Sequence, residues 1–144
     1  TQLFILQFGG NTIPGLKDSS SVRYYAKSFK RQIQLIQSQV PGAAIIVIGP
    51  SDMSQLNEGV FESYNLIPYL TNQMKKVSVD SGAAYWDLFK AMGGKNSMPT
   101  WVEQGLAGSD YIHFTSKGTS IASQLFYDAF ISAYAKWELK NQVE

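Results

Sequence analysis

An α/β fold on an open parallel sheet is what this chain predicts, and three observations carry it. Segments of strand character alternate with segments of helical periodicity along the whole chain. One strand segment, "AAIIVIG" at 43–49, is a continuous, largely β-branched apolar run without polar alternation, as expected of a parallel strand covered on both faces. The chain closes on a long amphipathic helix. The order strand, helix, strand, helix, strand, helix is that of a sheet wound by right-handed crossovers. With 144 residues, 44% of them hydrophobic, residues 1–144 form a single domain with enough apolar material for a packed core.

The elements follow in order. "LFILQF" (3–8) is a buried strand ending in the turn signal Gly9-Gly10-Asn11. A Gly-, Pro- and Ser-rich loop leads to a helix over 22–40, where Val22, Tyr25, Ala26, Phe29, Ile33, Ile36 and Val40 recur at helical spacing. Ser19, Ser20 or Ser21 caps its start and Pro41-Gly42 stops it. After the 43–49 strand, "PSDMSQLNEG" reads as a loop. Leu66, Leu70, Met74 and Val77 mark a second helix, with Pro68 tolerated in its first turn. "AAYWDLF" (83–89) is the third strand, and a short helix falls around "SMPTWVEQGL". The last helix, capped by Thr115 or Ser116, aligns Ile121, Leu125, Phe126, Ala129, Phe130, Ala133, Tyr134 and Trp137 on one apolar face. Tyr134 and Trp137 are expected to pack against the core or its edge.

Composition removes several functions. The net charge is +1 with no basic cluster, which argues against a nucleic-acid groove or an anionic membrane surface. There are no cysteines, hence no thiol chemistry, disulfides or cysteine–zinc site. One histidine and no acidic cluster argue against a metal centre. The longest apolar run is too short to span a bilayer. The chain opens directly on an apolar strand without a methionine or leader, which reads as a cut through a longer protein.

In open parallel sheets the ligand sits beyond the C-terminal strand ends. Gly9-Gly10-Asn11 and "GPSD" (49–52) both fall there. The stretch "SDYIHFTSKG" (109–118) precedes the last helix and reaches the same edge. It holds His113, the only histidine, with Asp110 three residues earlier. A base for acyl transfer needs one imidazole nitrogen free and the other held by an acceptor that fixes the tautomer. Asp110 is placed to be that acceptor, though a surface Asp and His beside a turn fit the same residues. Asn11, directly after a strand, is placed to donate its amide to a developing oxyanion, or is an ordinary turn residue. Ser51 and Ser54 lie at the same edge and read as turn and cap residues. Asp52 and Asp87 are less well placed as acids than Asp110.

Together, "FGGN" after a strand and "DYIHFTSKG" before a terminal helix resemble the SGNH (GDSL-type) hydrolase family. The stretch "AMGGKNSMPTWVEQGLAGSDYIHFT" is similar to its peptidoglycan O-acetylesterase branch. The resemblance implies a flavodoxin-like three-layer α/β/α sandwich. It gives Asn11 the role of oxyanion donor, and Asp110 and His113 those of triad acid and base. It implies serine ester hydrolysis, no cofactor, a small-molecule or carbohydrate ester as substrate, and a secreted, periplasmic or cell-envelope location. Two features depart from the family. Thr12 follows Asn11 where an aspartate is usual. The Gly-Asp-Ser that carries the nucleophile is absent, so the chain reads as a C-terminal part lacking the first two strands. The N-terminal part of the same protein is then the expected partner supplying the serine, and the isolated chain is expected to be inactive. Rival readings are an O-acetyltransferase using the same site and a binding domain without catalysis.

Overall fold

The computed structural model describes residues 2–141. Its elements are β1 (Leu3–Gln7), a 3-10 turn (Gly10–Gly15), α1 (Ser19–Gln39), β2 (Ala44–Ile48), β3 (Ser54–Asn57), β4 (Val60–Ser63), α2 (Ile67–Val79), β5 (Ala84–Trp86), α3 (Leu88–Ala91), α4 (Ser97–Glu103) and α5 (Ser116–Asn141). β1, β2 and β5 form a parallel sheet in the order β1-β2-β5, with Leu3 opposite Ala44 and Ile46 opposite Ala84. The expected α/β class and parallel sheet are therefore the ones found. The second sheet, β3 with β4, is an antiparallel hairpin inside the segment expected to be a loop.

α1 starts at its serines, but its cap is the residue before them rather than Ser19, Ser20 or Ser21. Asp18 is the cap: its carboxylate accepts the Ser21 amide at 2.8 Å, and its own amide donates to the Ser21 hydroxyl oxygen at 3.1 Å. This reciprocal box satisfies two amides that the first turn leaves without partners. Val22, Ala26, Phe29 and Ile33 are the buried stripe of α1, and Ile67, Leu70 and Met74 that of α2. Both stripes pack with Ile45 and Val47 of β2, and with Phe4, Leu6 and Tyr85, into the main core. Pro68 lies in the first turn of α2, where its missing N–H has no partner to lose.

The opposite face of the sheet is covered only in part. On β2, Ile45 and Val47 are buried while Ile46 and Ile48 are not, so the strand is not closed on both sides within this chain. On β1, Leu3 and Ile5 are each about half exposed. α5 meets this face at Trp86, whose ring stands edge-on to Phe126 with centroids 5.2 Å apart. Among the described residues of α5 only Gly118 is buried, and Tyr134 and Trp137 are 48% and 59% exposed. The packing expected for those two aromatics is thus not found against this chain; they lean on each other at 5.9 Å. The reason is length: a 26-residue helix runs about 39 Å, and a five-residue strand about 17 Å. The helix outruns the sheet it lies on.

Candidate active site

The segment 107–114 folds back on itself. Ala107 bridges Phe114, the Gly108 amide donates to the His113 carbonyl at 2.8 Å, and the Tyr111 amide donates to the Gly108 carbonyl at 3.0 Å. Asp110 stands at the bend. Its Oδ1 accepts the amides of Ile112 and His113, both at 3.0 Å, and its Oδ2 lies 2.8 Å from His113 Nδ1. The His113 side chain, followed by the two amides, holds the Asp110 carboxyl well below the usual range, at about 2. Asp110 is therefore an anion at neutral pH. An anionic acceptor at Nδ1 favours the tautomer with its proton there and leaves Nε2 as the free, basic nitrogen. The His113 side chain is 79% exposed, so that nitrogen is open to a reactant.

The residues after His113 secure the loop to α5. The Thr115 hydroxyl accepts the Gly118 amide at 3.2 Å as the helix cap, while the Thr115 amide donates to the Leu106 carbonyl at 3.0 Å. Phe114 packs on Trp101 with centroids 5.0 Å apart. A Cβ on Gly118 would overlap the Leu106 carbonyl, so only glycine lets the first turn of α5 sit this close to the chain before the loop.

Asn11 lies on the 3-10 turn that follows β1. Gly9 enters that turn at φ 105°, and a Cβ there would press on Met74 and Pro50. The side chain of Asn11 is exposed and lines a cleft of about 560 Å³ beyond the ends of β1 and β2, together with Gln7, Gly9, Gly10, Tyr25 and Ser51. That is the ligand edge of an open parallel sheet. The three residues singled out from sequence thus divide: Asp110 and His113 are directly paired, and Asn11 lines the cleft. Among the described residues no hydrogen bond joins Asn11 to the pair. Ser51 lines the cleft as well, without a bond to His113. The Ser54 hydroxyl is buried without a partner, and its amide donates to the Tyr111 carbonyl at 3.0 Å.

The other two aspartates have structural work. Asp87 caps α3, accepting the Lys90 amide at 3.0 Å. Asp52 is fully buried: Oδ1 accepts the Ser63 hydroxyl at 2.6 Å and Oδ2 the Met98 amide at 2.9 Å. The Ser63 hydroxyl in turn accepts the Asn96 amide at 2.6 Å, and Asn96 Oδ1 accepts the Ser63 amide at 2.9 Å. Burial pushes the Asp52 carboxyl up, and the Ser63 and Met98 bonds pull against it. This network ties β4 to the start of α4. Sequence reasoning missed it because Ser63 and Asn96 carry no apolar periodicity. Among the described residues no cluster of acidic or imidazole side chains could hold a metal, and no helix is long and apolar enough to cross a membrane.

No family model matches the chain, and no curated protein does. Among solved structures, a peptidoglycan O-acetylesterase superposes with a TM-score of 0.79 at 24% identity, over 94% of this chain and 38% of that one. The two share a fold, and this chain spans well under half the length of that enzyme.

Proposed function

We propose that the chain is the acid–base part of a serine ester hydrolase of the SGNH type, acting on O-acetylated carbohydrate. The single observation that carries this reading is the Asp110–His113 pair: an ionised carboxylate on Nδ1 at 2.8 Å and an exposed ring with Nε2 unengaged. The cleft bearing Asn11 and the fold shared with a peptidoglycan O-acetylesterase support it.

In this reading Nε2 of His113 takes the proton of a serine hydroxyl as its oxygen attacks the acetyl carbonyl carbon. Asp110 stabilises the imidazolium. The Asn11 amide donates to the oxyanion of the tetrahedral intermediate. His113 then protonates the leaving sugar oxygen, the C–O ester bond breaks, and the acetyl group remains on the serine. Water, deprotonated by the same nitrogen, releases acetate. Neither half calls for a cofactor.

The serine comes from an N-terminal part of the same protein, and the substrate places the enzyme outside the cytoplasm, at the cell envelope. That part docks on the free edge of β1 and the open sheet face, where Leu3, Ile5 and the apolar side chains of α5 stand exposed. A bare apolar strand edge favours such pairing. The isolated 144-residue chain is expected to leave aryl acetate unhydrolysed. Robust turnover by it, abolished in Ser51→Ala, would move the nucleophile into this chain.

In the complete protein, His113→Ala is expected to cut turnover by several powers of ten. Asn11→Ala removes one oxyanion donor, a loss of roughly a hundred- to a thousandfold in kcat. Steady-state kinetics with circular dichroism as folding control reads both. Near-native turnover in His113→Ala would reduce "SDYIHFTSKG" to the entry of a helix.

A further inference from the structure

The loop bearing the pair does not hold its shape alone. Tyr111, between Asp110 and His113, stands at φ 57°. A bulky side chain adopts that left-handed conformation only where its surroundings impose it. Two contacts from outside the loop are in place to do so. The Tyr111 ring stacks on Phe61 of β4, with centroids 3.6 Å apart and planes within 6°. The Tyr111 carbonyl accepts the Ser54 amide, at the head of β3, at 3.0 Å. Phe61 and Ser54 belong to the two strands of one hairpin, and that hairpin is anchored by the buried Asp52–Ser63–Asn96 network.

The bend at Tyr111 has a direct consequence for the pair. It turns the next two amides, of Ile112 and His113, back onto Asp110 Oδ1. With one carboxylate oxygen occupied by the backbone, the other is left for His113 Nδ1. We infer that the β3–β4 hairpin is a positioning device for the acid and base, with Phe61 and Tyr111 as its positioning residues. Their stacked rings hold the left-handed bend, the bend fixes the Asp110 carboxylate, and the carboxylate keeps the His113 proton on Nδ1. The inference rests on the reading of His113 as the base only for its effect on turnover; the effect on the tautomer stands without it.

His113 is the only histidine in the chain, so long-range proton–nitrogen spectra of the chain show a single imidazole. The neutral wild-type ring is expected to carry its proton on Nδ1. In Phe61→Ala and Tyr111→Ala the population is expected to shift toward the Nε2-protonated form that a free imidazole prefers. Phe61→Tyr and Tyr111→Phe keep flat rings and are expected to keep the wild-type tautomer. Should the alanine variants fail to fold by circular dichroism, Phe61→Leu and Tyr111→Leu keep apolar bulk without a flat face and are read the same way. A wild-type ring protonated on Nε2, or an unshifted tautomer in the folded ring-deleting variants, overturns the inference. In the complete protein the ring deletions are expected to lower kcat by up to about a hundredfold with KM little changed, as for a misplaced catalytic group. A shifted tautomer with unchanged kcat would instead overturn His113 as base and leave the positioning role standing.

Discussion

Asp52 and Asp110 are both held by hydrogen bonds from side-chain and backbone donors, yet they are driven in opposite directions. Asp52 is fully buried, and its donors come from β4 and from the start of α4, 11 and 46 residues away. Asp110 is half exposed, and every donor to it lies within three residues. Burial pushes the first carboxyl up, while the imidazole and amides push the second down to about 2. Donors lower both carboxyls; desolvation outweighs them only at Asp52. A carboxylate whose partners are distant in sequence ties the fold together. One whose partners are local, and which stays wet, is free to serve a reaction.

The largest test of this contrast is Asp110→Asn in the complete protein. On the proposed reading of the pair as triad acid and base, loss of the anionic acceptor at Nδ1 is expected to lower turnover by about ten-thousandfold, the cost of a wrong tautomer. The same substitution is expected to move folding stability by only about 0.5 kcal/mol, as for a surface site. Asp52→Ala reverses the balance. It strands the buried Ser63 hydroxyl and Met98 amide, each worth about 1–3 kcal/mol when left unpaired. A loss of about 3 kcal/mol in urea unfolding is expected, a large part of the ~5–15 kcal/mol a domain has. Equal stability losses in the two variants would erase the distinction.

The smallest effect is the pH dependence, followed by carbon-13 titration of the two carboxyls. Asp110 lies below its unfolded value, so its bonds stabilise the fold above about pH 4. That contribution is lost as pH falls through about 2. Asp52 lies above its unfolded value, so its proton favours the folded state. Stability from this group falls as pH climbs from about 4 through its raised value. A common midpoint for the two would show that burial does not separate them.

Much of this was legible in the sequence. The unbroken run at 43–49 gave a parallel strand, and the stripes through Val22–Ile33 and Leu70–Met74 gave the helices that cover it. Asp110 and His113 were legible because their partnership is local, three residues apart. The β3–β4 hairpin was not, since Ser54 and Ser63 at its ends are buried polar residues and break the apolar alternation that marks a strand. Its turn, Glu58-Gly59, has both residues at positive φ, a signal that a glycine alone announces only faintly. The helix α5 was legible, but the single covered apolar face expected of it is not found: Ile121, Tyr127, Phe130, Ile131, Tyr134 and Trp137 all stand exposed. Periodicity says that a face is greasy, not what covers it. The left-handed Tyr111 left no trace in the letters at all.

The unequal covering of the sheet also sets how the molecule breathes. Segments open in order of how little they bury. The core under α1 and α2 draws its fully buried members from Ile13 through Phe89, whereas α5 contributes one buried glycine among its described residues. Amides in the far half of α5 are therefore expected to exchange with solvent by local fraying, and those of β2 only when the whole domain opens. The loop of Asp110 and His113 straddles the seam. Thr115 joins it to the quick side and the Ser54 amide to the slow one. The imidazole thus stands between a body expected to open late and a helix expected to open early.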